Sequence, residues 1–381
     1  MKPSAAKTGV LSFQELKAAV KNGWIKTLNG VEEAQIQPAS MDLRLGPKAY
    51  RLVSSFLPES GAVSDKLKTT GNYHSDLVMY EVDISSGGIL ERGSVYLIPL
   101  MEELVLPANV EGKANPKSTT GRLDVFARVI TDRNPRFDEI PAGYRGRLYL
   151  EVMPRSFTIN VKAGLSLVQL RLRRGDCTIK DDKLKELNKK TRLIYDGDKH
   201  IDNDNVRISN GIFMGVDLAG EKNSPVIGYK SKRNSHVVDL TKKNYYNIDE
   251  FWEPIHRNSK GTLILEPEEF YILASKEKIR IPAGYASEMV PYEAGSGELR
   301  THYAGFFDPG FGFGKKGELK GTKAVLEVRA HDVPFMIAHG QTFCKLFFEK
   351  MSQTPDIVYG PKIGSSYQYQ TITLSKQFRN G

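Results

Sequence analysis

Leu90-Glu91-Arg92-Gly93-Ser94-Val95-Tyr96-Leu97 returns 175 positions later as Leu265-Glu266-Pro267-Glu268-Glu269-Phe270-Tyr271-Ile272. The echo continues in order. Leu106-Pro107-Ala108 matches Ile281-Pro282-Ala283, Leu150-Glu151-Val152 matches Leu326-Glu327-Val328, and Gly164 matches Gly340. Ahead of it, Met41-Asp42-Leu43 pairs with Val216-Asp217-Leu218. A period this long is no solenoid unit; it reads as two homologous domains. Residues 1–195 form the first and 206–381 the second, with the polar stretch 196–205 as linker.

The texture of each copy is β. Short apolar runs at Ser94–Leu100, Arg147–Val152, Leu165–Leu172, Phe270–Ala274, Ala324–Val328 and Thr342–Phe348 are set apart by glycine and proline. One helix start is well marked. Ser12-Phe13-Gln14-Glu15 is a capping-box pattern, followed by Leu16, Val20 and Trp24 at helical spacing and a stop at Gly23. A second helix fits Asp181–Leu193. The expectation is a mainly β protein with few short helices.

Composition narrows the function. The 381 residues carry a formal net charge of +9, which favours an anionic partner, nucleic acid or a small polyphosphate. No apolar run approaches the roughly 20 residues that span a bilayer, and no apolar stretch follows the basic start. Cytoplasm is the expected compartment, with no membrane partner. The two cysteines, Cys177 and Cys344, are too few for a disulfide framework or a structural zinc site and read as core residues. Nucleic-acid binding would need interleaved basic and aromatic residues. Lys242-Lys243 and Tyr245-Tyr246 hint at that, but Asp249 and Glu250 follow at once, so no nucleic-acid partner is expected.

Several segments together resemble the dCTP deaminases of the dUTPase-like superfamily. Gln37-Pro38-Ala39-Ser40-Met41-Asp42-Leu43-Arg44-Leu45-Gly46 looks like their opening strand. Lys117-Ser118-Thr119-Thr120-Gly121-Arg122 resembles their Ser-Ser-x-x-Arg phosphate motif, with Thr119 at the second serine. Phe307-Asp308-Pro309-Gly310-Phe311 resembles the end of a hairpin that precedes a Leu-Glu strand, here Leu326-Glu327. Ser366-Tyr367-Gln368-Tyr369-Gln370 resembles the closing Lys-Tyr-x-x-Gln tail, with Ser366 in place of the lysine. The two-copy form resembles the long bacterial members. The implied fold is two tandem dUTPase-like domains of β-clip or jelly-roll-like build.

The resemblance implies hydrolytic deamination of dCTP to dUTP and ammonia, by a buried glutamate and without a catalytic metal. Zinc deaminases carry His-x-Glu and Pro-Cys-x-x-Cys, and neither occurs here. Mg²⁺ is expected to arrive with the triphosphate, and no zinc is expected. A general acid–base carboxyl should have its pKa raised by burial. Glu327 and Glu151 both follow a leucine in an apolar strand; a glutamate on the solvent face of an edge strand is the plainer alternative. Arg122 would approach the shuttle and the phosphates, Lys117, Ser118 and Thr119 would hold the phosphates, and Asp308 would accept from the 3′-hydroxyl. The hairpin residues His302, Tyr303 and Ala304 would meet the base, and Tyr367 and Gln370 would close over it. Feedback inhibition by dTTP, common in the family, is not readable from these residues.

The copies have lost different parts. The first keeps Ser118, Thr119, Arg122 and Glu151, but reads Ile140-Pro141-Ala142-Gly143 where the sugar-binding Asp belongs. The second keeps Asp308, Glu327 and the tail, but reads Tyr292-Glu293-Ala294-Gly295-Ser296-Gly297 at the phosphate segment. Copy one would then lend its phosphate motif to the pocket of copy two, giving one site per chain with Glu327 as the shuttle. A homo-oligomer, dimer or trimer, is expected. A monomer or two-fold dimer suits mixed sites, whereas a trimer with separate rings of each copy would favour Glu151. The nearest rival is a dUTP diphosphatase or a bifunctional deaminase that continues to dUMP.

Overall fold

The computed structural model describes residues 7–68, 75–291, 299–301, 305–330, 332–360, 367 and 370–379. The fold is mainly β. In the first half one sheet runs in the order Val78–Asp83, Lys48–Leu52, Val95–Val105, Arg145–Pro154, Val125–Thr131, with Ile25–Lys26 added beside Val95–Val105. The other places Ser166–Arg174 between Met41–Arg44 and Glu111–Pro116, with Glu139–Ile140 at the far edge. The second half repeats both patterns. Trp252–His256, Val226–Ser231, Phe270–Ile279, Thr322–Ala330 and Leu299–Thr301 follow one another in the first order. Ile212–Gly215, Thr342–Lys350, Tyr285–Pro291 and Phe306–Phe307 reproduce the second.

Register fixes the correspondence residue by residue. Glu151 lies opposite Leu97, and Glu327 lies opposite Ile272. Leu97 and Ile272 are matched positions in the repeated sequence, so the chain between Asp308 and Glu327 does not disturb the alignment of the two glutamates. A slip of one residue would have turned Glu327 to the other face of its sheet.

The predicted helices form at Phe13–Lys21 and Asp181–Thr191. Glu15 reaches back to accept from the Ser12 amide at 3.0 Å and from its hydroxyl at 2.9 Å, as the capping box requires. Phe13, Leu16 and Ala19 turn into the core. Cys177 and Cys344 are free and buried. No described helix is long and apolar enough to cross a membrane.

The chain from Ile194 to His200 is joined to the second half's sheet by pairing. Ile194–Asp196 pairs with Phe270–Ile279, and Tyr195–Asp196 also pairs with Lys199–His200 in a hairpin. Polar residues at 196–205 serve the hairpin turn and a buried Asn188, which accepts from the Leu193 amide at 2.9 Å and donates to the Ile201 carbonyl at 3.2 Å.

The halves are not merely strung together. Ile159–Val161 pairs in parallel with Val238–Asp239, and Phe157 packs edge-on against Trp252 with ring centroids 5.3 Å apart. Two buried guanidinium groups also cross the seam. Arg171 donates to the Glu349 carboxylate at 3.0 Å and the Ser287 carbonyl at 3.2 Å. Arg329 is held by Asp124, whose carboxylate also accepts from Ser156 at 2.6 Å. In a low-dielectric seam such charges are tolerated because they are paired and hydrogen-bonded.

Candidate active site

The phosphate-type motif begins where a strand must stop. Pro116 has no amide hydrogen to give the ladder, and the chain passes from Glu111–Pro116 into a single helical turn, Ser118–Gly121. The Lys117 amide donates to the Leu167 carbonyl at 2.9 Å, and the Thr120 hydroxyl donates to the same oxygen at 2.7 Å. These bonds tether the turn to the neighbouring strand while Ser118 and Thr119 line a cavity of about 270 Å³.

Arg122 follows directly and is 2% exposed. Its two terminal nitrogens donate to the Thr373 carbonyl at 2.8 Å and the Gln370 side-chain oxygen at 2.7 Å. The guanidinium lies 3.8 Å from the centroid of the Tyr367 ring. Gln370 passes the connection on, donating to the Lys323 carbonyl at 2.9 Å. The C-terminal residues therefore fasten the first half's arginine to the second half's Glu327 strand.

Glu327 stands in the middle of Thr322–Ala330, 4% exposed, and lines the same cavity. Burial pushes its carboxyl up to about 8; Asp124 adds to the rise, and Arg122 opposes it. Such a group takes and returns protons near neutral pH.

Asp308 ends the short strand Phe306–Phe307 and is likewise buried. Burial and the nearby Asp42 raise its carboxyl to about 6, against the pull of Arg171, whose nitrogen is 3.6 Å away. One oxygen of this carboxylate has no hydrogen-bond partner. The turn behind it needs glycine at 310, where φ is +98° and a side chain would meet Val358 at 2.8 Å. In the first half the matching strand, Glu139–Ile140, runs into Pro141, so no carboxylate stands there.

The cavity thus gathers Lys117, Ser118, Thr119 and Arg122 from the first half with Asp308 and Glu327 from the second, and Tyr367 and Gln370 from the tail. His302, Tyr303 and Ala304 lie outside the described residues, as does the segment Tyr292–Gly297. Glu151 does not line this cavity. It is 1% exposed and accepts from the Arg128 Nε at 3.1 Å, while Arg128 stacks on Phe137 at 3.5 Å.

Sequence reasoning missed Asp42, Gln169, Phe306, Tyr359 and Lys376, all of which line the cavity. Asp42 and Gln169 are register partners on adjacent strands, and Asp42 is bonded to Lys117. The opening-strand motif contained Asp42, and strand alternation could have sent its side chain inward. Lys376 had no such signal. Among the described residues no group of three or more His, Cys, Asp and Glu side chains is placed to hold a metal ion.

Fold and cavity together define a mainly β protein in which a protonatable buried carboxyl faces an arginine and a cationic, hydroxyl-bearing turn. Comparison with known proteins gives this class its family. The model of the 2′-deoxycytidine 5′-triphosphate deaminase N-terminal domain matches residues 7–176, and that of the C-terminal domain matches residues 180–378. The chain belongs to the dCTP deaminase family.

A crystal structure of 2′-deoxycytidine 5′-triphosphate deaminase from Agrobacterium tumefaciens is 43% identical with a TM-score of 0.83, covering 92% of this chain and all of that one. The dCTP deaminase of Sulfurisphaera tokodaii is 23% identical over 161 residues, 42% of this chain and 77% of its own. A relative from Sulfurihydrogenibium named dCTP deaminase, dUMP-forming, is 26% identical over 164 residues, 42% of this chain and 81% of its own.

Proposed function

We propose that this chain converts dCTP and water to dUTP and ammonia at one site assembled from both halves, with Glu327 as the proton shuttle. The observation that carries the reading is the meeting of Arg122 from the first half with Glu327 from the second in one cavity. In the carboxylate form Glu327 takes a proton from water as the oxygen bonds to C4, and delivers it to N3. It then moves the hydroxyl proton to the amino nitrogen; the C4–N bond breaks, ammonia leaves, and the C4 carbonyl of uracil remains. The charge of Arg122 favours the carboxylate form of Glu327, and the Lys117–Thr119 turn receives the phosphates with their Mg²⁺. Asp308, which lines the cavity, accepts from the sugar 3′-hydroxyl.

Two dUTPase-like units in tandem best account for the doubled strand pairing. The 161- and 164-residue matches to two relatives, each 42% of this chain, support the same reading. The pairing of Ile194–Asp196 favours a division near residue 177 over one at 196–205. A homo-oligomer, dimer or trimer, is the assembly we expect, and sedimentation of the intact protein measures it.

A second reading, in which dUTP continues to dUMP, draws on the relative named dUMP-forming. The test is an assay of demetallated protein given dCTP and Mg²⁺. Ammonia and dUTP in equal amounts support the proposal, pyrophosphate with dUMP favours the second reading, and no ammonia sinks both.

A further inference from the structure

Lys376 lies outside every motif that pointed to the site, yet it lines the cavity beside Lys117, Thr119 and Arg122. We infer that its ammonium grips the polyphosphate of the substrate, as a second cation beside the Ser118–Thr119 turn. The inference rests on the reading of the cavity as a dCTP site.

The segment that carries Lys376 is locked in place. Ser375 before it is 1% exposed and donates to the Thr119 carbonyl at 2.7 Å, which ties the tail to the phosphate turn itself. Gln377 after it is also buried and donates to the Leu240 carbonyl at 3.3 Å. Only the lysine between them faces open space. A second opening shares Asp42, Lys117, Thr119 and Lys376 with the first, so this wall continues from the cavity towards solvent. A nucleotide with its base against Glu327 would trail its phosphates along such a wall.

Charge balance points the same way. Asp42 is bonded to Lys117, and that carboxylate is the one acidic group acting on Lys376. Lys376 itself makes no ion pair with a described residue. Burial and the neighbouring Lys117 and Lys243 all push its ammonium pKa down. A half-buried cation crowded by cations, and in no ion pair with a described residue, is relieved by an arriving anion. Lys117, already neutralised, cannot give the same relief without leaving Asp42.

Steady-state ammonia release from dCTP, together with calorimetric binding of inorganic tripolyphosphate, tests the inference in wild type, Lys376→Ala and Lys376→Arg. A charge-assisted phosphate contact predicts that the alanine variant raises KM for dCTP by roughly 10- to 100-fold while kcat stays within about threefold. Tripolyphosphate binding should weaken in parallel, and arginine should restore both. An alanine variant with KM and tripolyphosphate affinity within about twofold of wild type overturns the inference. So does an equal loss for 2′-deoxycytidine, which has no phosphate. If wild-type protein binds tripolyphosphate through Lys376 but never releases ammonia, the failure lies with the reading of the reaction, not with the lysine.

Discussion

The two Leu-Glu strands differ in company rather than in position. Glu151 and Glu327 occupy the same register, opposite Leu97 and Ile272, and both are almost wholly buried. Beside Glu151 the next strand supplies Arg128, a cation that bonds one oxygen of the carboxylate and stacks on Phe137. Glu327 instead looks into a cavity, and its arginine comes from the other half of the molecule. A buried carboxylate with a fixed salt bridge is structure; one with space before it and a raised proton affinity is equipped for chemistry. Identical sequence, Leu-Glu-Val, carries both outcomes.

The sharpest way to break this comparison is to exchange each carboxyl for its amide. Glu327→Gln should lower kcat for ammonia release by about 10²–10⁴-fold, the usual loss when a general acid–base is removed. Glu151→Gln should keep kcat within about twofold. The reverse result would hand the chemistry to the first half. Next in size, Arg122→Ala removes the cation shared by Glu327, Gln370 and Tyr367. A fall of about 100-fold in kcat/KM is expected, with partial recovery in Arg122→Lys.

The pH dependence sharpens the comparison further. Free-enzyme kcat/KM should climb between about pH 6 and 8 as Glu327 loses its proton, because the carboxyl is held up to about 8. A flat profile across that range would count against Glu327 as the base. Stability should run the opposite way. Glu327 has a folded pKa above its ordinary value, so the folded state binds the extra proton, and stability declines as pH rises from about 4.5 towards 8. Glu327→Gln removes that penalty and should raise Tm at pH 8 by a few degrees relative to wild type, seen by calorimetry. Smallest of all, Glu151→Gln should cost about 1–2 kcal/mol in chemical denaturation, because Arg128 is partly exposed and keeps access to water.

How much of this was legible beforehand depends on whether a residue's role is local. Ser12 and Glu15 cap a helix within four residues, and the strands around Glu151 and Glu327 announce themselves as short apolar runs. The repeat matches the doubled strand pairing, and residues of both halves line one cavity. The polar run at 196–205 includes a hairpin turn, which has the same composition as a linker, and the buried Ile194 and Tyr195 just before it are strand residues. Asp42, Gln169 and Lys376 escaped because their place in the cavity depends on which distant segment lies beside them. Lys376 is more than 250 positions from the turn it lies beside, and no local pattern reaches that far.

The guanidinium groups buried across the seam bear on dissection. Arg171 is clasped by Glu349 and Ser287, and Arg329 by Asp124 and Ser156. Cut between the halves and expressed apart, each piece would lose the cross-seam partner of one buried arginine and of one carboxylate, on a face stripped of its aromatic cover. Neither fragment has a reason to be soluble alone, and only co-production would let the exposed charges find one another. The covalent join is thus less a hinge than a guarantee of stoichiometry: every arginine is born with its acid.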